Sequence, residues 1–357
     1  MSTLTHPEWN QETGGLEVAK AFADQIRGKS GKKPGIITLT RHGVDRTIVL
    51  ITGVSPESIG SSIALSIASQ NPKLVILASR TKYKLEQVLK NVQDAYPDVA
   101  LKIVLLDLMS QESVRAAAKE VSQLTDRLDL IINNAGIMTP TRQTTKEGIE
   151  GQFGANHIGH FLLTNLLMSQ LLASVSSSKE GATRVINLTS LGHRLSPVRF
   201  SDYNLKKSNE EVPEAERHVP LPPAFSKTAS DGYNGYVAYG QAKTANILFS
   251  VGMNEKFGNQ GVKSYAVHPG SIWTGLSRDL DADGEAAIRK TSPFWKNHDQ
   301  GAATVLVAAL DPTLDESKGV LLHDCQMCDA MPYATDTNLA EQLWALSEKL
   351  IQSSFKL

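Results

Sequence analysis

The sequence predicts an α/β protein: a single domain built on one doubly wound, seven-stranded parallel sheet with helices on both faces. Three observations predict it. From residue 46 onward, short β-branched runs alternate with longer stretches of helical periodicity. Several of those runs are near-continuous Val, Ile and Leu rather than alternating, as strands covered on both faces require. A chain of 357 residues with 41% hydrophobic content also has ample material for one large core.

The strands read in order as "RTIVLITG" (46–53), "KLVILAS" (73–79), "ALKIVLLDL" (100–108), "LDLIINNAG" (128–136), "TRVINLTS" (183–190), "VKSYAVHPG" (262–270) and "GVLLHD" (319–324). Helical stretches lie between them, such as "SSIALSIASQ", whose Ile63 and Ile67 make one apolar face with Ile59 just before it. Residues 1–45 form an N-terminal extension. It holds an amphipathic helix, "GLEVAKAFADQIRGK", with Val18, Phe22 and Ile26 on one side, and then a basic stretch containing Gly and Pro, "SGKKPGIITLTRHGVD". The sheet domain spans 46–330, and 331–357 is a C-terminal helical segment. Within the domain, residues 191–235 form an insertion rich in charge, Ser and Pro. Segments of that length are lids or binding loops more often than flexible surface loops.

Composition excludes several functions. With 36 Lys+Arg against 37 Asp+Glu the net charge is -1, so no broad attraction for nucleic acid or anionic lipid is expected. "HIGHFLLTNLLMSQLLASV" (157–175) carries two His, an Asn and a Gln, which makes it a buried core helix rather than a membrane span. No early apolar segment precedes a small-residue cleavage site, and a cytoplasmic location is expected. The terminal "FKL" is similar to the peroxisomal "SKL", but Phe355 stands where a small residue belongs. Cys325 and Cys328 in "CQMC" have neither a second CxxC nor a nearby His pair, so they read as inert thiols and no metal is expected.

The first strand runs into "TGVSPESIG" (52–60) and directly on into a helix. A dinucleotide pyrophosphate would sit there: small residues such as Gly53, Ser55, Ser58 and Gly60 admit it, and Ile59 opens a helix whose N–H groups face it. This stretch resembles the TGxxxGxG turn of the short-chain dehydrogenase/reductase superfamily, and the expected companions follow in order. They are "NNAG" (133–136), "FGANHIGHF" (153–161), "INLTS" (186–190), "YGQAK" (239–243) and "HPGSIWT" (268–274). The resemblance covers residues 46–330, and "ANHIGHFLLT" with "YGQAKTANILF" is similar to the retinol-dehydrogenase-like and WW-domain-oxidoreductase-like branch. It implies a Rossmann fold binding a nicotinamide dinucleotide. The chain departs from the pattern in three places. The turn is one residue longer, with Ser58 where the middle glycine belongs. The interval from Ser190 to Tyr239 is much enlarged. Ser30 to Arg46 reads as an inserted stretch.

Tyr239 and Lys243 are four residues apart, hence on one helix face. A free tyrosine has a pKa of about 10, and a neighbouring ammonium is expected to lower it. Tyr203 and Lys207 share the spacing, but they lie in the polar insertion without apolar periodicity, so they read as a decoy. Ser190 ends a strand and would project into the ligand crevice to hydrogen-bond a substrate oxygen. The resemblance implies that Lys243 also holds the nicotinamide ribose and that Asn156 anchors a water in a proton relay. Taken singly, Ser190 also reads as a strand-end cap, Asn156 as a satisfied buried amide, and Tyr239 with Lys243 as a solvated pair. His193 reads as a solvent-facing loop histidine.

Strand two ends in "ASRTK", which offers Ser79, Arg80 and Lys82 but no carboxylate for a ribose 2′-hydroxyl. A guanidinium suits a 2′-phosphate, so NADP(H) is expected in preference to NAD, with Arg80 as its reader. The resemblance implies that Asp107 and Leu108 border the adenine. It also implies that Asn134, Ala135, Gly136, Pro269, Gly270, Ile272 and Thr274 complete the cofactor site, and that homo-oligomers form through the helices carrying Asn156 and Tyr239. The expected activity is NADP(H)-dependent interconversion of a carbonyl and an alcohol on an apolar small molecule, with Tyr239 as general acid/base. Two alternatives are a silent NADP(H)-sensing regulator and an epimerase or dehydratase on the same scaffold.

Overall fold

The computed structural model describes residues 4–27, 47–176, 183–277, 282–316 and 319–355. Eight strands form one sheet: β1 (Ile48–Thr52), β2 (Leu74–Ser79), β3 (Leu101–Leu105), β4 (Leu130–Asn133), β5 (Thr183–Leu188), β6 (Val262–His268), β7 (Leu321–His323) and β8 (Gln326–Cys328). Their order is β3-β2-β1-β4-β5-β6-β7-β8. The chain therefore winds outward from β1 to β3, then returns to the other side of β1 as β4. This reversal opens a crevice at the carboxyl ends of β1 and β4, where ligands bind in sheets of this kind.

The first seven strands are the expected ones, all parallel. The eighth strand was not foreseen. "CQMC" folds back antiparallel on β7 through a turn in which Asp324 (φ 48°) and Cys325 (φ 62°) are both left-handed. Two-residue hairpins that match strand twist need that conformation, and neither residue is the glycine or asparagine that would have signalled it.

Two apolar layers sandwich the sheet. One joins Ile63 and Ile67 of helix Ile59–Ala68 with the small and branched residues of helix His298–Leu310. Val18, Phe22 and Ile26 of the N-terminal extension belong to this layer, all buried as their spacing predicts. The helix breaks at Phe22 into Gly15–Ala21 and Ala23–Arg27, and its first half packs against both of the other helices. The proposed insertion from Ser30 to Arg46 lies outside the described residues.

The other layer contains helix Gly151–Leu166, which carries Asn156, and helix Gly235–Phe257, which carries Tyr239. Helix Thr337–Leu350 of the C-terminal segment lies along them. Trp344 packs edge-on to Phe161 at 4.9 Å, and Ser347 bonds His157 Nε2 at 2.8 Å. The face through which homo-oligomers were expected to form is thus covered, over this stretch, by the chain's own C-terminus. The apolar segment 157–175 is a core element, with a 55° bend separating Gly151–Leu166 from Met168–Val175. Among the described residues no single helix is long and apolar enough to cross a membrane.

The first part of the insertion is bound down on the helix that carries Tyr239. Arg199 N donates to Gln241 Oε1 and Gln241 Nε2 donates to the Tyr203 carbonyl, so one side chain of the Tyr239 helix holds two points of the loop. Tyr203 and Lys207 sit in turns rather than on a helix, which removes them as an acid–ammonium pair. Because Ile26 is fully buried in the first layer, Ile26→Ala is expected to cost about 2–5 kcal/mol of stability. The urea midpoint checks this; an unchanged midpoint would make the N-terminal helices an appendage rather than part of the core.

Candidate active site

The site assembles at the carboxyl edge of β1, β4 and β5. After β1 the backbone turns sharply at Gly53 (φ +72°), where a Cβ would lie 2.5 Å from Ala135 Cα. Only glycine permits that approach. Asn134 Nδ2 donates to the carbonyls of Thr52 and Gly53, and Ala135 N donates to Thr52 Oγ1, so the turn is stitched to the end of β4. The extra residue of the turn is absorbed at Glu57, which adopts φ 51°. Ser58 caps the following helix, accepting from Ser61 N at 3.2 Å and donating to the Ser55 carbonyl at 2.7 Å. The residue that replaces a glycine is therefore what starts the helix whose free N–H groups face the crevice.

A cleft of about 320 Å³ crosses the sheet edge here. Gly53, Ser55, Ser58, Ile59, Arg80, Asp107, Leu108, Asn134, Ala135, Gly136, Tyr239, Lys243, Pro269 and Thr274 all line it. Gly60, Gly270 and Ile272 do not; they hold its walls from behind. A Cβ on Gly60 would meet the Gly53 carbonyl at 2.7 Å, one on Gly270 (φ +97°) would strike Lys296, and the Ile272 side chain packs on Gly301. Lys82 turns outward beside Glu86, whereas Lys84, which the sequence reading passed over, lines the cleft with Arg80. Lys84 lies two residues beyond "ASRTK", in the first turn of helix Lys82–Ala95. The residues present thus suit an extended dinucleotide: glycines pressed against backbone, a helix N-terminus, and two cations at one end.

At the other end, Tyr239 is buried, its phenol hydrogen-bonded to Ser190 and its ring against Gly192. Asn234 caps the helix one turn earlier, accepting from Tyr236 N and Val237 N. Lys243 Nζ donates to the Leu188 carbonyl at 3.1 Å and stands 5.4 Å from the Tyr239 ring centroid. Ser190 does act as a strand-end cap, accepting from Gly192 N at 3.0 Å, but its hydroxyl also meets the phenol. Asn156 lies below the cleft in a π-turn, Gly154–Ile158. Its Oδ1 accepts from Ile137 N at 2.8 Å and its Nδ2 donates to the Ile137 carbonyl at 3.0 Å. A Cβ on Gly136 would lie 3.4 Å from Asn156 Oδ1 and 3.5 Å from Lys243 Nζ, so the cleft floor brings the amide and the ammonium together.

The electrostatics correct one expectation. Burial pushes the Tyr239 phenol up to about 12, and the hydrogen bond to Ser190 offsets only part of that. Burial also lowers Lys243 to about 8. Desolvation disfavours tyrosinate and ammonium alike, and here it outweighs the stabilisation that the lysine was expected to provide. The phenol is held as an acid at neutral pH.

His193 is also corrected: it is buried, not solvent-facing. Its Nδ1 donates to the Ser190 carbonyl at 2.8 Å, its Nε2 accepts from Met331 N at 3.2 Å, and Tyr333 Oη donates to the His193 carbonyl. The residue ties the Ser190 loop to the C-terminal segment. Cys325 and Cys328 are free, and burial raises both thiols to about 11, which keeps them unreactive. Among the described residues no group of three or more His, Cys, Asp or Glu could hold a metal.

With this geometry in hand, comparison with known proteins is direct. Residues 47–208 match the short chain dehydrogenase family. Over 92% of this chain and 98% of the relative, it is 34% identical to the chloroplastic short-chain dehydrogenase TIC 32 A of Brassica napus. It is 32% identical to human retinol dehydrogenase 13, covering 85% of this chain and 84% of that one. A crystal structure of an uncharacterised Mycobacterium paratuberculosis protein superposes with a TM-score of 0.61 at 28% identity, covering 87% of this chain and 95% of the other. The chain belongs to the short-chain dehydrogenase family and is an oxidoreductase acting on CH–OH/C=O groups.

Proposed function

We propose that the protein interconverts a carbonyl and an alcohol on an apolar small molecule, using NADP(H), with Tyr239 as the general acid/base. One observation carries this reading: the Tyr239 phenol, hydrogen-bonded to the Ser190 hydroxyl, and the Lys243 amine line one end of a cleft whose other end carries Arg80 and Lys84. When bound, the reduced nicotinamide supplies a hydride to the carbonyl carbon. Ser190 orients the carbonyl oxygen and stabilises the charge that develops there. Tyr239, held protonated by burial, gives its proton to that oxygen. Lys243, poised at about 8, holds the ribose and responds to the charge left on the phenolate, while Asn156 fixes the cleft floor at Ile137. Ile137 and Leu188 add apolar wall at this end. The name of the retinol dehydrogenase relative is in keeping with an apolar alcohol.

The 2′-phosphate of NADP(H) is assigned to Arg80 and Lys84. Among the described residues, the end of β2 itself puts no carboxylate into the cleft, where an NAD enzyme would place one against the ribose hydroxyl; the carboxylate that does line it, Asp107, follows β3. The insertion 191–235, its first part pinned on the Tyr239 helix, is assigned to the substrate side.

Tyr239→Phe is expected to lower kcat by about 10²- to 10⁴-fold. NADPH affinity, measured by fluorescence titration, should stay close to wild type. A variant that turns over ketones or aldehydes at the wild-type rate, followed at the reduced-nicotinamide absorbance band, would remove Tyr239 as the acid. Arg80→Ala with Lys84→Ala should weaken NADPH by about 10- to 100-fold, the loss of charge-assisted hydrogen bonds, and leave NADH nearly unchanged. Equal losses for both cofactors would refute the phosphate assignment.

Lys243 also predicts a pH signature. Its folded pKa lies below its ordinary value of 10.5, so between about pH 8 and 10 the unfolded chain binds the extra proton. Stability from this group therefore rises with pH across that window. Thermal melts of Lys243→Met and wild type should show the variant's relative advantage shrinking from pH 8 to pH 10; a constant difference would mean that the ammonium is not destabilised by burial.

A further inference from the structure

His160 has no part in the chemistry above, yet it occupies the junction between the two halves of the site. It lies on the Asn156 helix, two residues beyond the π-turn, and is almost completely buried. Its Nδ1 is 3.0 Å from the Asn156 carbonyl oxygen, and its Nε2 is 2.9 Å from Thr52 Oγ1. Thr52 is the last residue of β1, immediately before the Gly53 turn. One imidazole thus bridges the residue that starts the cofactor turn and the residue that fixes the cleft floor.

The partners determine its tautomer. A carbonyl oxygen only accepts, so Nδ1 must carry the proton. Nε2 of the neutral ring is then an acceptor and must receive the Thr52 hydroxyl proton. Thr52 can supply it, because its oxygen already accepts from Ala135 N at 3.1 Å and its alternative acceptor, the Ile132 carbonyl, lies farther off at 3.4 Å. Each hydrogen in this path then has an acceptor: Ala135 N–H to Thr52, Thr52 O–H to the nearer His160 Nε2, His160 Nδ1–H to Asn156. The ring stays neutral, lowered to about 4 by burial and by the charge of Lys243 nearby. A neutral ring can bridge these groups without adding a second positive charge beside the lysine.

We propose that His160 is a positioning residue for catalysis, its Nδ1–H holding the carbonyl of Asn156 in the π-turn and its Nε2 anchored by Thr52. The assignment deepens the proposed function and rests on it. The path makes the Asn156 turn register with the cofactor turn, so a shift of one is felt by the other. π-turns are rare and concentrate at functional sites, and a side-chain bond to a carbonyl within the turn is a direct means of fixing one.

Two substitutions separate the nitrogens. Asparagine places an amide N–H where the ring has Nδ1, and the same helix shows that the reach is feasible: Asn165 Nδ2 donates to the Phe161 carbonyl four residues back at 2.8 Å. Glutamine places its amide toward the Nε2 position instead. His160→Asn is expected to keep kcat within about fivefold of wild type, and His160→Gln to lose about 10- to 100-fold, the scale of a small misplacement in a site. Both should melt within a few degrees of each other and bind NADPH comparably. Long-range ¹⁵N–¹H correlation on wild type should show Nδ1 protonated and Nε2 bare across neutral pH. The proposal is overturned by an Nε2–H tautomer, by His160→Gln at the wild-type rate, by the reverse order of the two variants, or by losses that simply track melting temperature. The tautomer and the melts need no turnover, so they stand or fall independently of Tyr239; the Tyr239→Phe assay tests the underlying reaction separately.

Discussion

Gly53 rests on Ala135 with no room for a methyl group between them, and the site depends on that contact. It locks the turn after β1 to the end of β4, so that the chain leaving β4 passes close under the crevice. Gly136 then lies against both Asn156 and Lys243, Ile137 is gripped through both its backbone groups by Asn156, and Lys243 is bound to the end of β5 at Leu188. From β5 the next residues carry Ser190 to the phenol of Tyr239. A side chain at position 53 would push the first link apart, and each later one would follow.

The same close packing governs the electrostatics. Tyr239 and Lys243 share one helix face and are both almost fully withdrawn from water. Burial drives the phenol toward retaining its proton and the amine toward releasing one. A pair prepared in this way suits donation of a proton to an oxygen on which charge develops. His157, His160 and His193 are all kept below their ordinary pKa by burial, and no additional charge competes with the lysine from those positions.

How much of this was legible beforehand follows from the range of each interaction. Apolar-rich runs revealed all seven parallel strands, because strands covered on both faces are rich in Val, Ile and Leu even where, as in β5, single polar residues are buried with them. Val18, Phe22 and Ile26 signalled a buried face, although the break at Phe22 did not show in the spacing. The strand-end serine, the "NNAG" stretch and "YGQAK" could be placed on the sheet edge because each is adjacent to an element that positions it. The β7–β8 hairpin was not legible, since Cys325 stands at the second turn position, where a left-handed conformation favours glycine.

The order of elements, the apolar character of each strand and the spacing of Tyr239 from Lys243 were determined by the sequence alone, because they depend on neighbours along the chain. The burial of His193, the choice of Lys84 over Lys82, the upward shift of the phenol and the bridge through His160 were decided only by tertiary structure. Each depends on groups far apart in the chain: Met331 for His193, the curve of the cleft wall for the lysines, the whole surrounding core for the phenol, and Thr52 for His160. Desolvation and hydrogen-bond partnership are properties of a place in space, and local pattern carries no record of them.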